Sequence, residues 1–360
     1  MNLHKFIQNI DINNDEYVIV GVSAGPDSMA LLHMLKNNLK CQLVCAHINH
    51  NVRKQSDEEE NFLKQYCKEN NIIIETHKIK SYTKNNFENE AREKRYAFYK
   101  KILSKYHSHN LFLAHHGDDL IETVMMKIIR GSNLEGYAGI KTYSYLENYK
   151  IIRPLLSITK EDILKYNKDN NIEYYIDHTN EDTKYTRNRY RKNILPLLKQ
   201  EDKNVHLKFL KYSNILQEYD EFLNYEIEQK IKNIYIEKKI DIKELNKEHK
   251  FMKKNIIFYI LSNIYNNSPN IIKEKHLLDI IKMSNNEKSN YSINLPKNYI
   301  AKKEYNYIYI EKKNTIINKT ENMRNTINEK KNTFVADVQQ NSKKFTFTPR
   351  RSENRAYLLS

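Results

Sequence analysis

Three short stretches place polar residues where chemistry could use them. The first is the turn Ser23-Ala24-Gly25-Pro26-Asp27-Ser28. It lies between the apolar, β-branched run Val18-Ile19-Val20-Gly21-Val22 and the helically spaced Met29, Leu31, Leu32 and Leu35. A strand, a tight turn and a helix start make an anion site, because the first helical N–H groups lack partners and that end of the dipole is positive. Gly25 lets backbone approach a ligand, the Ser23 and Ser28 hydroxyls add donors, and Asp27 suits a metal that bridges phosphates. The plainer alternative is an ordinary turn with a helix cap. The second stretch is His115-His116-Gly117-Asp118-Asp119-Leu120-Ile121-Glu122. Asp118 and Glu122 are spaced i,i+4 and Asp119 and Glu122 i,i+3, so a helix would gather the carboxylates beside two histidines. Like charges that close call for a cation, either a metal or an ammonium group. An acidic first turn alone would explain the aspartates but not Glu122 with both histidines. The third stretch, Arg187-Asn188-Arg189-Tyr190-Arg191, suits contact with phosphates and bases.

Two weaker stretches join these. His47-Ile48-Asn49-His50-Asn51-Val52-Arg53 follows the apolar run from Leu43 and puts base-reading groups at a strand end. Glu90-Ala91-Arg92-Glu93-Lys94-Arg95-Tyr96 places Arg92 and Arg95 one helical turn apart, a spacing equally common on a solvated face. No G-x-x-x-x-G-K-[ST] or G-x-G-x-x-G occurs, so neither a Walker loop nor a dinucleotide fingerprint is present.

The elements that must position these residues alternate. Apolar runs at Leu43–Ile48, Ile72–Ile74 and Leu111–Ala114 read as further strands. Helices are expected from Ser56, over Asn86–Tyr106 and over Asp118–Ile129. The alternation predicts a doubly wound parallel sheet with helices on both faces, its ligand beyond the carboxyl ends of the strands. The turns at Ser23, His47 and His115 would share that edge. All glycines fall between Gly21 and Gly139, which puts the chemistry in the first half. Asn204–Ile231 reads as a long amphipathic helix, with Phe209, Tyr212, Leu216, Tyr219 and Leu223 on one face. The expected division is residues 1–200, a linker helix over 201–240, a small α+β unit over 241–311, and a basic, polar tail over 312–360 expected to be disordered or poorly packed. The tail carries eleven Lys or Arg against four Asp or Glu.

A formal charge of +15 over 360 residues favours a polyanionic partner such as nucleic acid. Cys41, Cys45 and Cys67 form no C-x-x-C pair and are too few for a disulfide framework, which fits a reducing, cytoplasmic setting. No secretory signal and no membrane-length apolar run is read.

The turn resembles the SGGxDS pyrophosphate loop of the PP-loop ATPases, with Ala24 where that family usually has its first glycine. The ordered set SAGPDS, HINHNVR, EAREKRY, AHHGDDLIET, RGSNLEGYAGI, IIRPLL and RNRYRKNILP, over about residues 15–200, resembles the tRNA(Ile)-lysidine synthetases. Residues 251–310 are more loosely similar to that family's small substrate-binding domain. The tail does not match its further C-terminal domain, which some members lack. The resemblance implies ATP and Mg²⁺ as cofactors. It implies adenylation of the C2 carbonyl of the wobble cytidine, position 34, of a CAU-anticodon isoleucine tRNA, then displacement of AMP by free L-lysine. Ser23, Ala24, Gly25, Pro26, Asp27 and Ser28 would hold the phosphates, with Asp27 on Mg²⁺. His47, Asn49 and His115 would border the nucleotide, and Asp119 and Glu122 would hold lysine. Arg92 would act with Asp27, Asp119 and Glu122 in catalysis, and Arg95, Arg187, Arg189 and Arg191 would meet tRNA. A homodimer is left open. The rival readings are a tRNA thiolase on the same scaffold, which needs a sulfur-carrying cysteine, and a non-catalytic tRNA-binding protein with a decayed ATP site.

Overall fold

Val18, Ile19 and Val20 are completely buried, and alternate residues of this strand enter two different cores. That is the pattern of a central strand covered on both faces. The computed structural model describes residues 10, 12–13, 16–51, 55–82, 87–176, 185–266 and 271–313. Its first sheet has six strands: β1 (Tyr17–Gly21), β2 (Gln42–Asn49), β3 (Ile73–Lys78), β4 (Asn110–Phe112), β5 (Tyr143–Leu146) and β6 (Tyr149–Ile152). They lie in the order β3-β2-β1-β4-β6-β5, all parallel except β5, which pairs antiparallel with β6 at the edge.

Helices α1 (Pro26–Asn38), α2 (Gln55–Glu69) and α6 (Lys160–Asp169) cover one face. Met29, Leu32, Leu35, Leu63 and Ile163 pack there on Val18, Val20 and Phe112. Helix α3 (Phe87–Lys105) covers the other, with Phe98, Tyr99, Ile102 and Leu103 on Ile19, Val44 and Leu111. Each fully buried aliphatic side chain stabilises the fold by roughly 1.5–3 kcal/mol relative to exposure. The first crossovers run from β1 outward to β3, and the chain then returns to place β4 on the other side of β1. The crevice at this reversal lies between the loops that follow β1 and β4. There the chain enters α1 and α4 (Gly117–Arg130). A short helix α5 (Leu134–Tyr137) precedes β5, and α7 (Thr186–Asn193), α8 (Leu195–Glu201) and α9 (Val205–Ile234) follow α6.

The doubly wound sheet is as expected, with differences at its margins. The third strand runs to Lys78 rather than Ile74, because an edge strand tolerates Glu75 and Thr76. The β5–β6 hairpin and α6 were not anticipated. The chain divides into two compact units, and the boundary between Glu221 and Phe222 falls inside α9. The second unit holds β7 (Tyr235–Ile236), β8 (Lys239–Asp241), α10 (Ile242–Asn246), α11 (Lys250–Ile264), α12 (Glu274–Ser284), β9 (Asn290–Leu295), β10 (Tyr299–Glu304) and β11 (Tyr307–Lys312). Its sheet is antiparallel in the order β7-β8-β11-β10-β9. The tail beyond Lys313, like Val52 and Arg53, lies outside the described residues. Among the described residues no helix is long and apolar enough to cross a membrane.

Candidate nucleotide and amino-acid site

The turn after β1 is held in shape by its own hydroxyls. Ser28 Oγ donates to Gly25 O (3.0 Å) and accepts from Ser23 N (3.1 Å), and it lies 3.3 Å from Ser23 Oγ. Ala24 is fully buried at φ +62°, a left-handed conformation that disfavours any Cβ, and its carbonyl accepts from Tyr175 N at 2.9 Å. Pro26 opens α1, with Gly25 as N-cap and no side chain capping the first turn. A Cβ on Gly25 would meet only Ser23 Oγ at 3.4 Å, an ordinary contact. The protein's own packing leaves that space open, and an uncapped helix start faces it. This is a cradle that fits phosphate.

His47 is buried at the end of β2, with Nδ1 2.9 Å from Val22 O and Nε2 lacking a partner among the described residues. Burial lowers its pKa, which keeps the ring neutral. Asn49 is saturated within the protein. Its amide donates to Asp57 Oδ1 (2.8 Å) and Glu60 Oε2 (2.9 Å), and its carbonyl accepts from Asn51 N (2.9 Å). It braces the loop, so of the two β2 residues expected beside the nucleotide only His47 keeps a polar atom to offer.

Helix α4 begins at the same edge. His116 N donates to Asp119 Oδ2 at 3.1 Å, which fixes the Asp119 rotamer. His116 Nε2 stands 3.5 Å from Asp119 Oδ2 and 3.9 Å from Asp27 Oδ1, so one buried ring joins the phosphate turn to the acidic helix. Burial alone would raise the Asp119 pKa, but the His116 ring, the Arg187 guanidinium and the His116 amide hold that carboxyl well below the usual range. His115 is pushed the other way. Burial, with the nearby Arg153, Arg187 and Arg95 charges, lowers its pKa to about 3 against the pull of Asp119. Its Nδ1 also lacks a partner among the described residues.

The cations that satisfy the acidic cluster belong to the chain itself. The Glu122 carboxylate is fully enclosed and accepts from Arg187 Nε (2.9 Å), Arg191 Nε (2.7 Å) and Arg191 Nη2 (3.1 Å). Arg187 Nη2 also donates to Thr123 Oγ1 at 3.0 Å, and Arg191 Nη2 lies 3.5 Å from Asp119 Oδ1. This corrects the placement of Arg187 and Arg191 on an RNA surface. Their spacing of four puts both on one face of α7, turned to Glu122, whereas Arg189 between them is exposed and donates to Thr186 Oγ1. Asp118 also leaves the cluster. It is buried, accepts from Lys199 Nζ at 2.7 Å and from Lys160 N at 3.3 Å, and points to α6. On α3, Arg92 places its guanidinium carbon 4.9 Å from the Tyr96 ring centroid.

Two residues given no role from the sequence belong here, Lys160 and the arginine of IIRPLL, Arg153. Lys160 Nζ lies 2.6 Å from Asp27 Oδ1. Arg153, at the end of β6, is buried and donates to Lys141 O (2.9 Å) and Ser144 Oγ (2.8 Å). The Thr159-x-x-Asp162 spacing was the available signal for Lys160, since a capping box there makes Lys160 the first helical residue. Among the described residues no group of three or more His, Cys, Asp or Glu is arranged to hold a metal ion. A lone Asp27 carboxylate beside a phosphate cradle does fit Mg²⁺, which is held by one or two carboxylates plus substrate phosphates.

Residues 1–198 match the family model described as a PP-loop domain. The chain is 35% identical over 301 residues to the tRNA(Ile)-lysidine synthase of Bacillus subtilis, covering 80% of this chain and 64% of that one. It is 42% identical over 228 residues to the tRNA(Ile)-lysidine synthase of Bacillus cereus, covering 61% and 48%. The chain thus spans about half to under two thirds of these relatives' length. Among solved structures, the U34-tRNA thiolase NcsA from Methanococcus maripaludis, with its [4Fe-4S] cluster, shares the fold at a TM-score of 0.51 and 16% identity, over 60% of this chain and 78% of that one.

Proposed function

The chain belongs to the PP-loop family, and on that premise we propose that it ligates free L-lysine to C2 of the wobble cytidine of a CAU-anticodon isoleucine tRNA, at the expense of ATP, in the cytoplasm. The observation that carries this reading is the His116 bridge, which sets Asp27 of the phosphate turn and Asp119 of the acidic helix on either side of one ring. A nucleotide and an amine would there meet across a single substrate. The lysidine-synthase names of the relatives support the same chemistry.

In the first step the C2 carbonyl oxygen of cytidine attacks the ATP α-phosphorus and pyrophosphate leaves. Ser23, Gly25 and Ser28, with the open first turn of α1, steady the departing charge. Asp27 would hold Mg²⁺, which supplies further charge neutralisation. In the second step the lysine ammonium loses a proton to solvent, the neutral amine attacks C2, AMP departs with the former carbonyl oxygen, and the nitrogen releases a second proton to solvent. Asp119 holds the incoming ammonium. Glu122 acts mainly by aiming Arg187 and Arg191, whose guanidiniums then meet the AMP phosphate or the lysine carboxylate. Arg92, Arg95 and Arg189 remain for the RNA.

A thiolase would need a reactive cysteine at this edge. Cys45 and Cys67 are instead buried in the core, and Cys41 precedes β2 at the opposite end of the strand. Incubation with ATP, radiolabelled lysine and the isoleucine tRNA tests the proposal, with label in the RNA expected. Asp27→Ala should abolish incorporation with the melting temperature retained. Failure of the wild-type chain to label RNA, in the presence of tRNA-independent ATP binding, would select the non-catalytic reading. Glu122→Gln should raise the lysine KM more than the ATP KM, and an unchanged lysine KM counts against its role.

A further inference from the structure

We propose that Lys160 is a phosphate-binding residue, the one by which the site tells a polyphosphate from a monophosphate. This rests on the reading that the Ser23–Ser28 turn binds ATP. Four observations lead to it.

Lys160 is the first residue of α6, after the Thr159 N-cap, where the positive helix end opposes a cation. Among the described residues its ionic partner is Asp27 Oδ1, at 2.6 Å. Three helix starts converge there. α1 and α6 are joined there by Lys160 Nζ on Asp27, and further along α6 by Asn167 Nδ2 donating to Pro26 O (2.9 Å); α4 and α6 are joined by Lys160 N on Asp118, and α4 and α1 by the His116–Asp27 approach. The Asp118 carboxylate is already taken by Lys199. The starts of α4 and α6 carry their own carboxylates, Asp118 and Asp119 on one and Glu161 and Asp162 on the other, whereas α1 has no side-chain cap and Asp27 alone in its first turn, already engaged by Lys160. An anionic ligand seated on α1 would therefore meet the Lys160 ammonium as well as the uncapped helix end.

The backbone of Lys160 is fixed, whereas its side chain is free to turn. The Thr159–Asp162 capping box and the bond to Asp118 hold the first turn of α6. The Lys160 and Asp27 side chains are each about one third exposed, at 33% and 29%. An ion pair that open to water is weak and exchanges readily for a more highly charged partner. A nucleotide's terminal phosphates, with Mg²⁺ drawn to Asp27, are such a partner.

Position along the turn supplies the discrimination. His47 touches Val22, before the turn, whereas Lys160 touches Asp27, at its far side. With the nucleoside against His47, a monophosphate would reach the Ser23–Gly25 segment, and only the phosphates beyond it would reach Lys160.

Isothermal titration of the full chain with AMP, ATP and inorganic pyrophosphate tests this, using wild type, Lys160→Met, Lys160→Gln and Lys160→Arg, with thermal melts to confirm folding. Loss of one charge-assisted contact predicts about 10- to 100-fold weaker ATP and pyrophosphate binding in the Met and Gln variants, AMP affinity held within about twofold, and recovery of most of the loss by Arg. Equal loss for all three ligands would mark Lys160 as structural, and no loss would remove it from the site. Either result, or a wild-type chain that binds no pyrophosphate, overturns the assignment. A wild-type chain that shows this pattern yet never transfers lysine to RNA removes the lysidine reading and leaves Lys160 in place.

Discussion

Ala24 stands where PP-loop sequences usually carry glycine, and its φ of +62° gives the reason for that preference. A left-handed alanine costs about 1–2 kcal/mol relative to the right-handed region. Its methyl is fully buried and returns roughly 0.8 kcal/mol. With the entropy of a free glycine included, the gain and losses nearly cancel, so Ala24→Gly should leave the unfolding free energy from urea denaturation within about 0.5 kcal/mol of wild type. Ala24→Val should lose more than about 2 kcal/mol, because a β-branched residue is poorly tolerated there. His115 makes a second prediction at this scale. Its pKa is lowered to about 3 in the fold, against about 6.5 in the unfolded chain. Between those values the unfolded chain binds more protons, so stability should fall as pH drops from about 6.5 toward 3, by up to about 1.4 kcal/mol per pH unit. Denaturation across that range should show a shallower slope in His115→Gln, and an identical slope would place the titration elsewhere. The acidic and basic residues of the site were visible in the sequence as types and spacings. Which cation met which carboxylate was not. Nothing local to Arg187 or Glu122, 65 positions apart, says that they touch.

At the scale of elements, α4 is seated by Gly117. A Cβ there would lie 2.9 Å from His206 Cβ, 3.0 Å from Ile158 O and 3.2 Å from Leu156 O. Two of the three obstacles are backbone, so the helix start must shift, and Asp119 and Glu122 shift with it. Gly117→Ala should cost about 1–3 kcal/mol by calorimetry and lower lysine incorporation further than the stability loss explains. Long periodic helices such as α3 and α9 were legible because one apolar face repeats. The β5–β6 hairpin was not, because its two four-residue strands mix tyrosines and polar groups with only Leu146, Ile151 and Ile152, which pack once β4 is beside them. Nor was α6, whose Thr159 N-cap is paired with an aspartate, Asp162, rather than the more familiar glutamate of a capping box.

At the scale of the whole molecule, the charge of +15 makes the proposed RNA binding an electrolyte problem. If six to ten phosphates are met, affinity for tRNA should fall by about 10³- to 10⁵-fold between 50 and 200 mM salt, and a flat salt profile would deny the basic surface that role. The alternation of strands and helices made the sheet legible. The Glu221–Phe222 boundary was not, because it divides a helix that is continuous in sequence pattern.

The amide of Tyr175 spends its hydrogen on the carbonyl of Ala24, some 150 residues upstream in the chain. That bond makes Tyr175 a remote gauge of the turn's tension. In deuterated buffer its proton should be retained longer once a nucleotide stiffens Ala24, and it should wash out at an unaltered pace if the turn never grips one.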